Sequence, residues 1–232
     1  LQPHHAVRIA FANSGKMGDI SQAQVSAAHG YHGISLIRRL LGVMYEDVTI
    51  TAREFVSPII HGMERTGLPD KEQIKDSKQI IAQLDFGDKL GIFDFTSDQY
   101  RSFIRKQRIL VRGTHGEIIN DRVIYLQDYR TPIQLEFERR DAGARGNLEG
   151  YHHKGIQLGA EWVYHNPLAP ASLNDEDIAI GDCMLKMAEY VNGGEAFYSL
   201  AEACQDQYLD LLMQQAVETG EPVASTQQIW AT

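Results

Sequence analysis

The residues of this chain best suited to chemistry stand together in His29-Gly30-Tyr31-His32. A neutral imidazole can donate to or accept from a substrate hydroxyl, and an unperturbed pKa near ~6.5 lets it exchange protons at working pH. His32 is therefore the candidate catalytic group, and His29 and Tyr31 are candidate substrate contacts. The alternative for His32 is a buried ring that bonds a backbone carbonyl. His29 and His32 are also half of a metal site, but local spacing fixes no third ligand, and no metal is assigned.

A second pair, His152-His153, lies in the glycine-flanked segment EGYHHKG, close to Trp162 and Tyr164. Such a loop could line a carbohydrate site; a solvated hairpin end is the alternative. Adjacent side chains diverge on helix and strand alike, so neither this pair nor His4-His5 converges by itself. Tyr100-Arg101 and Arg108 could bring guanidinium groups to an anionic or polyol ligand, with surface ion pairing as the alternative. No G-x-G-x-x-G, G-K-[ST], C-x-x-C or H-E-x-x-H occurs. Gly113-Thr114-His115-Gly116 falls between two strands and reads as a plain turn.

The elements around these residues follow from periodicity. Pro3 suits a first helical turn, Ala6, Val7, Ala10 and Phe11 recur at helical spacing, and Gly15 and Gly18 stop the helix before a strand. Gly30 allows a sharp turn into a second helix whose Ile34, Ile37, Leu40 and Leu41 are apolar. Val48 to Ile60 is β-rich, and Ile80 to Phe86 and Lys89 to Thr96 read as hairpin arms around Gly87-Asp88. A short helical stretch follows from a Ser97 cap, and then strands at Arg108–Gly113, Arg122–Gln127 and 133–138. Residues 156–164 read as one more strand, with Ile156, Leu158, Ala160, Trp162 and Tyr164 on one face. Ser172/Asp175 and Ser199/Glu202 read as capping boxes for two terminal helices, the second ending at Gly220. Helices in blocks at both ends of a run of strands predict an α+β fold: one large, mostly antiparallel open sheet with helices packed on one face.

The chain has 232 residues, 43% hydrophobic and 23% charged, enough for a packed core. A formal net charge of −9 with no basic cluster argues against nucleic-acid partners and against anionic membranes. No apolar run approaches the ~20 residues a spanning helix needs, and no signal peptide is visible. Cys183 and Cys204 read as reduced, partly buried thiols of a cytoplasmic protein rather than as an implied disulfide. No linker separates two domains, so residues 1–232 are expected to form a single domain.

Order and spacing resemble the C-terminal domain of the glucose-fructose oxidoreductase and inositol dehydrogenase (Gfo/Idh/MocA) family. Gly15-Lys16-Met17-Gly18 matches the family's G-x-(I/L/V)-G before the first sheet strand. Gly30, His32 and Leu41-Gly42 match D-x-G-x-H and its following helix. The motif's Asp is replaced here by Ala28, and Ser35 stands where a second Asp is often seen. Arg112 to Ile118 resembles the strand–turn–strand G-x-x-G element, and the terminal helices with a tail carrying Trp230 fit as well. The resemblance implies a substrate-binding and oligomerisation domain of an NAD(P)-dependent oxidoreductase acting on a sugar, cyclitol or related polyol. NAD or NADP would be bound by an N-terminal Rossmann domain absent from this chain, whose first residue is Leu rather than Met. The chain alone would then bind no nicotinamide cofactor and be inactive. The resemblance further implies that the histidine at His32 contacts substrate and that the sheet face makes a homo-oligomer. A non-catalytic binding or assembly module using that face is the other reading.

Overall fold

A computed structural model of the protein describes residues 1–64 and 66–231. In chain order the elements are α1 (Pro3–Ala12), β1 (Ile20–Ser26), α2 (Gly30–Leu41), β2 (Thr49–Ile60), β3 (Ile74–Asp85), β4 (Leu90–Thr96), β5 (Arg108–Gly113), β6 (Gly116–Ile119), β7 (Arg122–Asp128), β8 (Thr131–Ala142), β9 (His152–Leu158), β10 (Glu161–His165), α3 (Asp175–Val191), α4 (Leu200–Thr219) and β11 (Val223–Ala224). They form an α+β fold in two compact units that interleave in sequence. One joins Leu1–Gly18 to His115–Ser199; the other joins Asp19–Thr114 to the segment from Leu200 onward.

The unit that starts at Asp19 has strand order β5-β1-β4-β3-β2-β11. Every pair is antiparallel except β1 with β4. A parallel pair needs a crossover, and α2 begins it. Ile34, Ile37, Leu40 and Leu41 of α2 are at most 2% exposed, packed with Ala23, Val25 and Phe93 of the sheet; α4 adds Leu209, Met213 and Ala216. Each of these side chains larger than alanine contributes about 2 kcal/mol on burial. Two glycines set the close helix–sheet approach. A Cβ on Gly33 would lie 2.5 Å from the Phe93 ring, and one on Gly91 2.6 Å from Ile37. α2 packs on β1 and β4, and α4 on β2 and on α2, so both helices cover the same sheet face. Between them Arg38 and Asp206, both buried, form an ion pair, and Arg38 also donates to the Met44 carbonyl.

The β2–β3 hairpin pairs without interruption from Thr49–Asp85 to Ile60–Ile74, a longer first arm than the apolar run Ile80 to Phe86 suggests. Its distal part exposes Phe55, Val56, Ile60 and Ile74. The helical stretch expected after Ser97 is a single 3₁₀ turn, Ser97–Tyr100, and its cap is Thr96 rather than Ser97. Thr96 and Gln99 form the reciprocal capping box, two orphan backbone donors satisfied at once.

The other unit has strand order β10-β9-β8-β7-β6, with α1 packed on β9 and β10. The ring of Phe11 meets those of Tyr125 and Phe137 edge-on at 5.7 and 6.1 Å. Arg8 donates to the Asn120 carbonyl and the Asp121 carboxylate, each at 2.8 Å. Residues 156–164 are two strands, not one. Gly159, at φ +60°, turns the chain, and Ile156 pairs with Tyr164. Ile156 and Leu158 are buried. α3 begins at Asp175, capped by Asn174 accepting from the Asp177 amide, so the Ser172/Asp175 box is not used. Only Ile178 of α3 is buried.

Both cysteines are free; Cys183 is exposed and Cys204 half-buried.

Candidate active site

The start of α2 carries the site. His29 is the N-cap residue in extended backbone, and its carbonyl accepts from the amides of His32 and Gly33. Gly30 follows at φ +45°, in the left-handed region where a side chain is strained. It is also crowded. A Cβ there would meet the Asp210 carboxylate at 2.9 Å, so glycine lets α4 bring a carboxylate against the first turn of α2.

Tyr100, delivered by the capped 3₁₀ turn, fixes His29 twice. Its phenolic oxygen accepts from the His29 amide at 3.1 Å and lies 2.6 Å from His29 Nδ1. With that oxygen accepting from the amide, its proton is available to Nδ1, an arrangement that leaves Nε2 carrying the ring proton. The turn itself is anchored by buried Gln99, whose side-chain amide donates to the Ser26 and Lys106 carbonyls at 2.9 and 2.8 Å.

Around this bond the rings of His29, Tyr31 and His32 cluster. His29 and His32 stand edge to face at 5.0 Å between centroids, and the rings of Tyr31 and His32 are tilted by 39° at 4.1 Å. All three reach solvent. Partial desolvation, and next the proximity of His29, lower the pKa of His32; Asp206 and Asp210 oppose the shift without cancelling it. At neutral pH the ring is uncharged and can take a proton from a hydroxyl. The open setting differs from the buried, carbonyl-bonded histidine that was the alternative. Aromatic faces beside hydrogen-bonding ring nitrogens suit a sugar or cyclitol, which presents C–H faces and hydroxyl edges.

His29, Tyr31 and His32 thus share one unit. His152 and His153 belong to the other, on β9 and not in a loop. His153 is 1% exposed; its Nδ1 lies 3.2 Å from Asp141, its ring stacks on Tyr164 at 6.0 Å, and burial followed by Arg139 lowers its pKa. Burial pushes the Tyr164 phenol up to about 12. Arg108 makes the surface ion pair that was its alternative, 2.7 Å to Asp94. Among the described residues no group of three or more His, Cys, Asp or Glu side chains converges as a metal site. Sequence reading missed Asp206 and Asp210 of α4, and Tyr100 as the partner of His29. The one local signal was Thr96-x-x-Gln99, a capping pattern that marks where Tyr100 is delivered.

No protein-family model matches the sequence, and no curated protein does. Solved structures match in shape. Levoglucosan dehydrogenase in complex with NADH and levoglucosan superposes at a TM-score of 0.59 with 14% identity, over 98% of this chain and 64% of that one. An oxidoreductase from Agrobacterium radiobacter in complex with NAD+, L-tartaric acid and magnesium gives 0.56 and 16%, over 96% and 61%. An NAD binding oxidoreductase from Klebsiella pneumoniae gives 0.56 and 12%, over 97% and 64%. This chain spans less than two thirds of the length of each. At these identities the likeness shows the fold, a fold found in NAD-binding oxidoreductases.

Proposed function

We propose that this chain is the substrate-binding and oligomerisation part of an NAD(P)-dependent oxidoreductase that acts on a sugar, cyclitol or related polyol, a Gfo/Idh/MocA-type enzyme. One observation carries the reading: an uncharged, solvent-facing His32 beside His29 and Tyr31 at the start of α2. In this assignment His32 accepts or returns the proton of the reacting hydroxyl. Tyr100 holds His29 in one tautomer to orient a second hydroxyl, and Tyr31 covers a C–H face of the ring.

The turn between β1 and α2 does not suit the pyrophosphate of a nicotinamide dinucleotide. Between β1 and α2, the strand–turn–helix passage of this unit, the residues are Ala27-Ala28-His29, and the Asp210 carboxylate lies against the first turn of the helix, where it repels a pyrophosphate. The cofactor would accept or supply the hydride from the third of the neighbours' length that this chain does not match. Among the described residues no helix is long and apolar enough to cross a membrane.

The test is an NMR titration of the chain with levoglucosan and with myo-inositol. Selective, saturable shifts of Tyr31, His29 and His32 are expected, with affinity of millimolar order. Shifts spread evenly over the surface, or none, would overturn the reading. Titration with NADH should leave the spectrum unchanged.

The assembly role rests on the distal β2–β3 hairpin, where Phe55, Val56, Ile60 and Ile74 are 40–67% exposed. Light scattering should give a mass of at least two chains, and Phe55→Asp should lower it; a single-chain mass for the wild type would refute the role.

A further inference from the structure

A second polar cleft lies in the same unit, at the mouth of the β2–β3 hairpin. It encloses about 360 Å³ and is lined by Gly62, Met63, Glu64 and Thr66 of the connecting loop, Lys75 of β3, and Ser97, Asp98, Arg101 and Ser102 around the 3₁₀ turn. We propose that this cleft binds a polyhydroxy carboxylate, a sugar acid, with its carboxylate on Arg101 and its hydroxyls on Ser97, Ser102 and Thr66.

The argument is an account of which charges are already committed. Asp98 accepts from Lys75 Nζ at 2.9 Å, from Ser77 at 2.5 Å and from Thr96 at 3.3 Å. Burial alone would raise its pKa, but these bonds hold it below the usual carboxylate range, so Asp98 and Lys75 are a neutralised pair. Glu64 is taken up by His61, 2.7 Å from its Nε2. The Arg101 guanidinium, exposed at the rim, has no hydrogen bond among the described residues, though its charge, after His61 and Lys75, helps hold the Glu64 pKa down. Its backbone is fixed, however: the amides of Arg101 and Ser102 both donate to the Asp98 carbonyl, at 3.2 and 2.8 Å. The planar guanidinium fork can make two parallel bonds to a carboxylate. The hydroxyls of Ser97, Ser102 and Thr66 can each donate to and accept from a ligand hydroxyl. With Lys75 engaged by Asp98, Arg101 is left facing the ligand, and one guanidinium compensates a carboxylate monoanion better than a phosphate dianion. A volume of this size suits a small ligand.

The cleft does not depend on the dehydrogenase reading, but it shares a turn with the site of that reading. Tyr100, the residue before Arg101, holds His29. Occupancy of the cleft should therefore be felt at His29.

Calorimetric and NMR titrations of the chain with D-gluconate, D-glucose and inorganic phosphate test this. Expected is saturable gluconate binding that weakens with salt, shifts at Thr66, Lys75, Ser97 and Ser102, and affinities for glucose and phosphate at least tenfold lower. Arg101→Gln, at an exposed position where folding is not at stake, should weaken gluconate by roughly tenfold or more, as loss of a charge-assisted contact does. Equal binding of glucose and gluconate, tighter binding of phosphate, or an unaffected Arg101→Gln variant would each overturn the proposal. If gluconate binds here while neutral polyols leave His32 untouched, the cleft stands and the dehydrogenase reading falls.

Discussion

The phenolic oxygen of Tyr100 and the Nδ1 of His29, 71 positions apart in the chain, lie 2.6 Å from one another, and the same oxygen caps the His29 amide. A single hydroxyl therefore sets both the first turn of α2 and the tautomer of the ring in front of it. Tyr100→Phe keeps the contact with Phe95 and removes only that hydroxyl. The expected result is a His29 ring that populates both tautomers, visible in the nitrogen shifts of the imidazole, with a stability loss of no more than about 1 kcal/mol. An unchanged tautomer ratio would show that something else orients the ring.

The buried Arg38–Asp206 pair is the brace between α2 and α4, with side chains 5% and 1% exposed. Asp206→Ala leaves a guanidinium uncompensated in the interior, and urea unfolding should show a loss of about 3–5 kcal/mol. Replacing both partners, as Arg38→Met with Asp206→Leu, should recover much of it, because the penalty comes from the stranded charge. A double variant no more stable than Asp206→Ala would mean that the Arg38 bond to the Met44 carbonyl is the dominant interaction.

Much of this arrangement was legible in the residues. The α2 start, with its glycine and its apolar stripe, is a local pattern, and it appears where periodicity puts it. The same holds for α1 behind Pro3 and for α4 behind Ser199. The reading failed where the signal is ambiguous or distant. Alternation from Ile156 to Tyr164 carries straight through the two-residue turn at Gly159-Ala160, so a hairpin looked like one strand; the glycine was the clue. Asn174 outcompeted Ser172 as a cap because its carbonyl oxygen meets the Asp177 amide. The carboxylates of α4 reach the site from some 180 positions away, and no local pattern reports that.

Asp210 gives a test of the electrostatics at His32. Asp206 and Asp210 favour the imidazolium, whereas desolvation and His29 disfavour it. Asp210→Asn should therefore move the His32 pKa further down, and His29→Gln should move it up. Both are read from the ring-proton shifts across a pH titration. Opposite signs, or no change in either variant, would remove these groups from the environment of His32.

Acid should loosen the unit that contains α1 and β9. His5 is 7% exposed, and burial, followed by His4 and Arg8, holds its pKa well below the usual value, with Asp175 opposing the shift. His153 is held down by burial and Arg139, against Asp141 and Asp175. Each ring folds in its neutral form and takes up a proton more readily when unfolded. Stability is then complete above the unfolded pKa of ~6.5 and declines as pH falls from there toward the depressed folded values, by up to about 1.4 kcal/mol per pH unit for each ring. Asp175 acts at lower pH. Its bond to His4 and the Arg139 contact hold its pKa below the usual carboxylate range although burial opposes them, so its contribution persists until pH drops below ~3.8. Hydrogen exchange measured at equal intrinsic rates between pH 7.5 and 5 should show protection falling in α1 and β9. His5→Phe should flatten that fall, since it removes the more deeply shifted ring without opening a cavity. Protection in α1 that is constant over this range would mean that the rings titrate alike in the folded and unfolded chain.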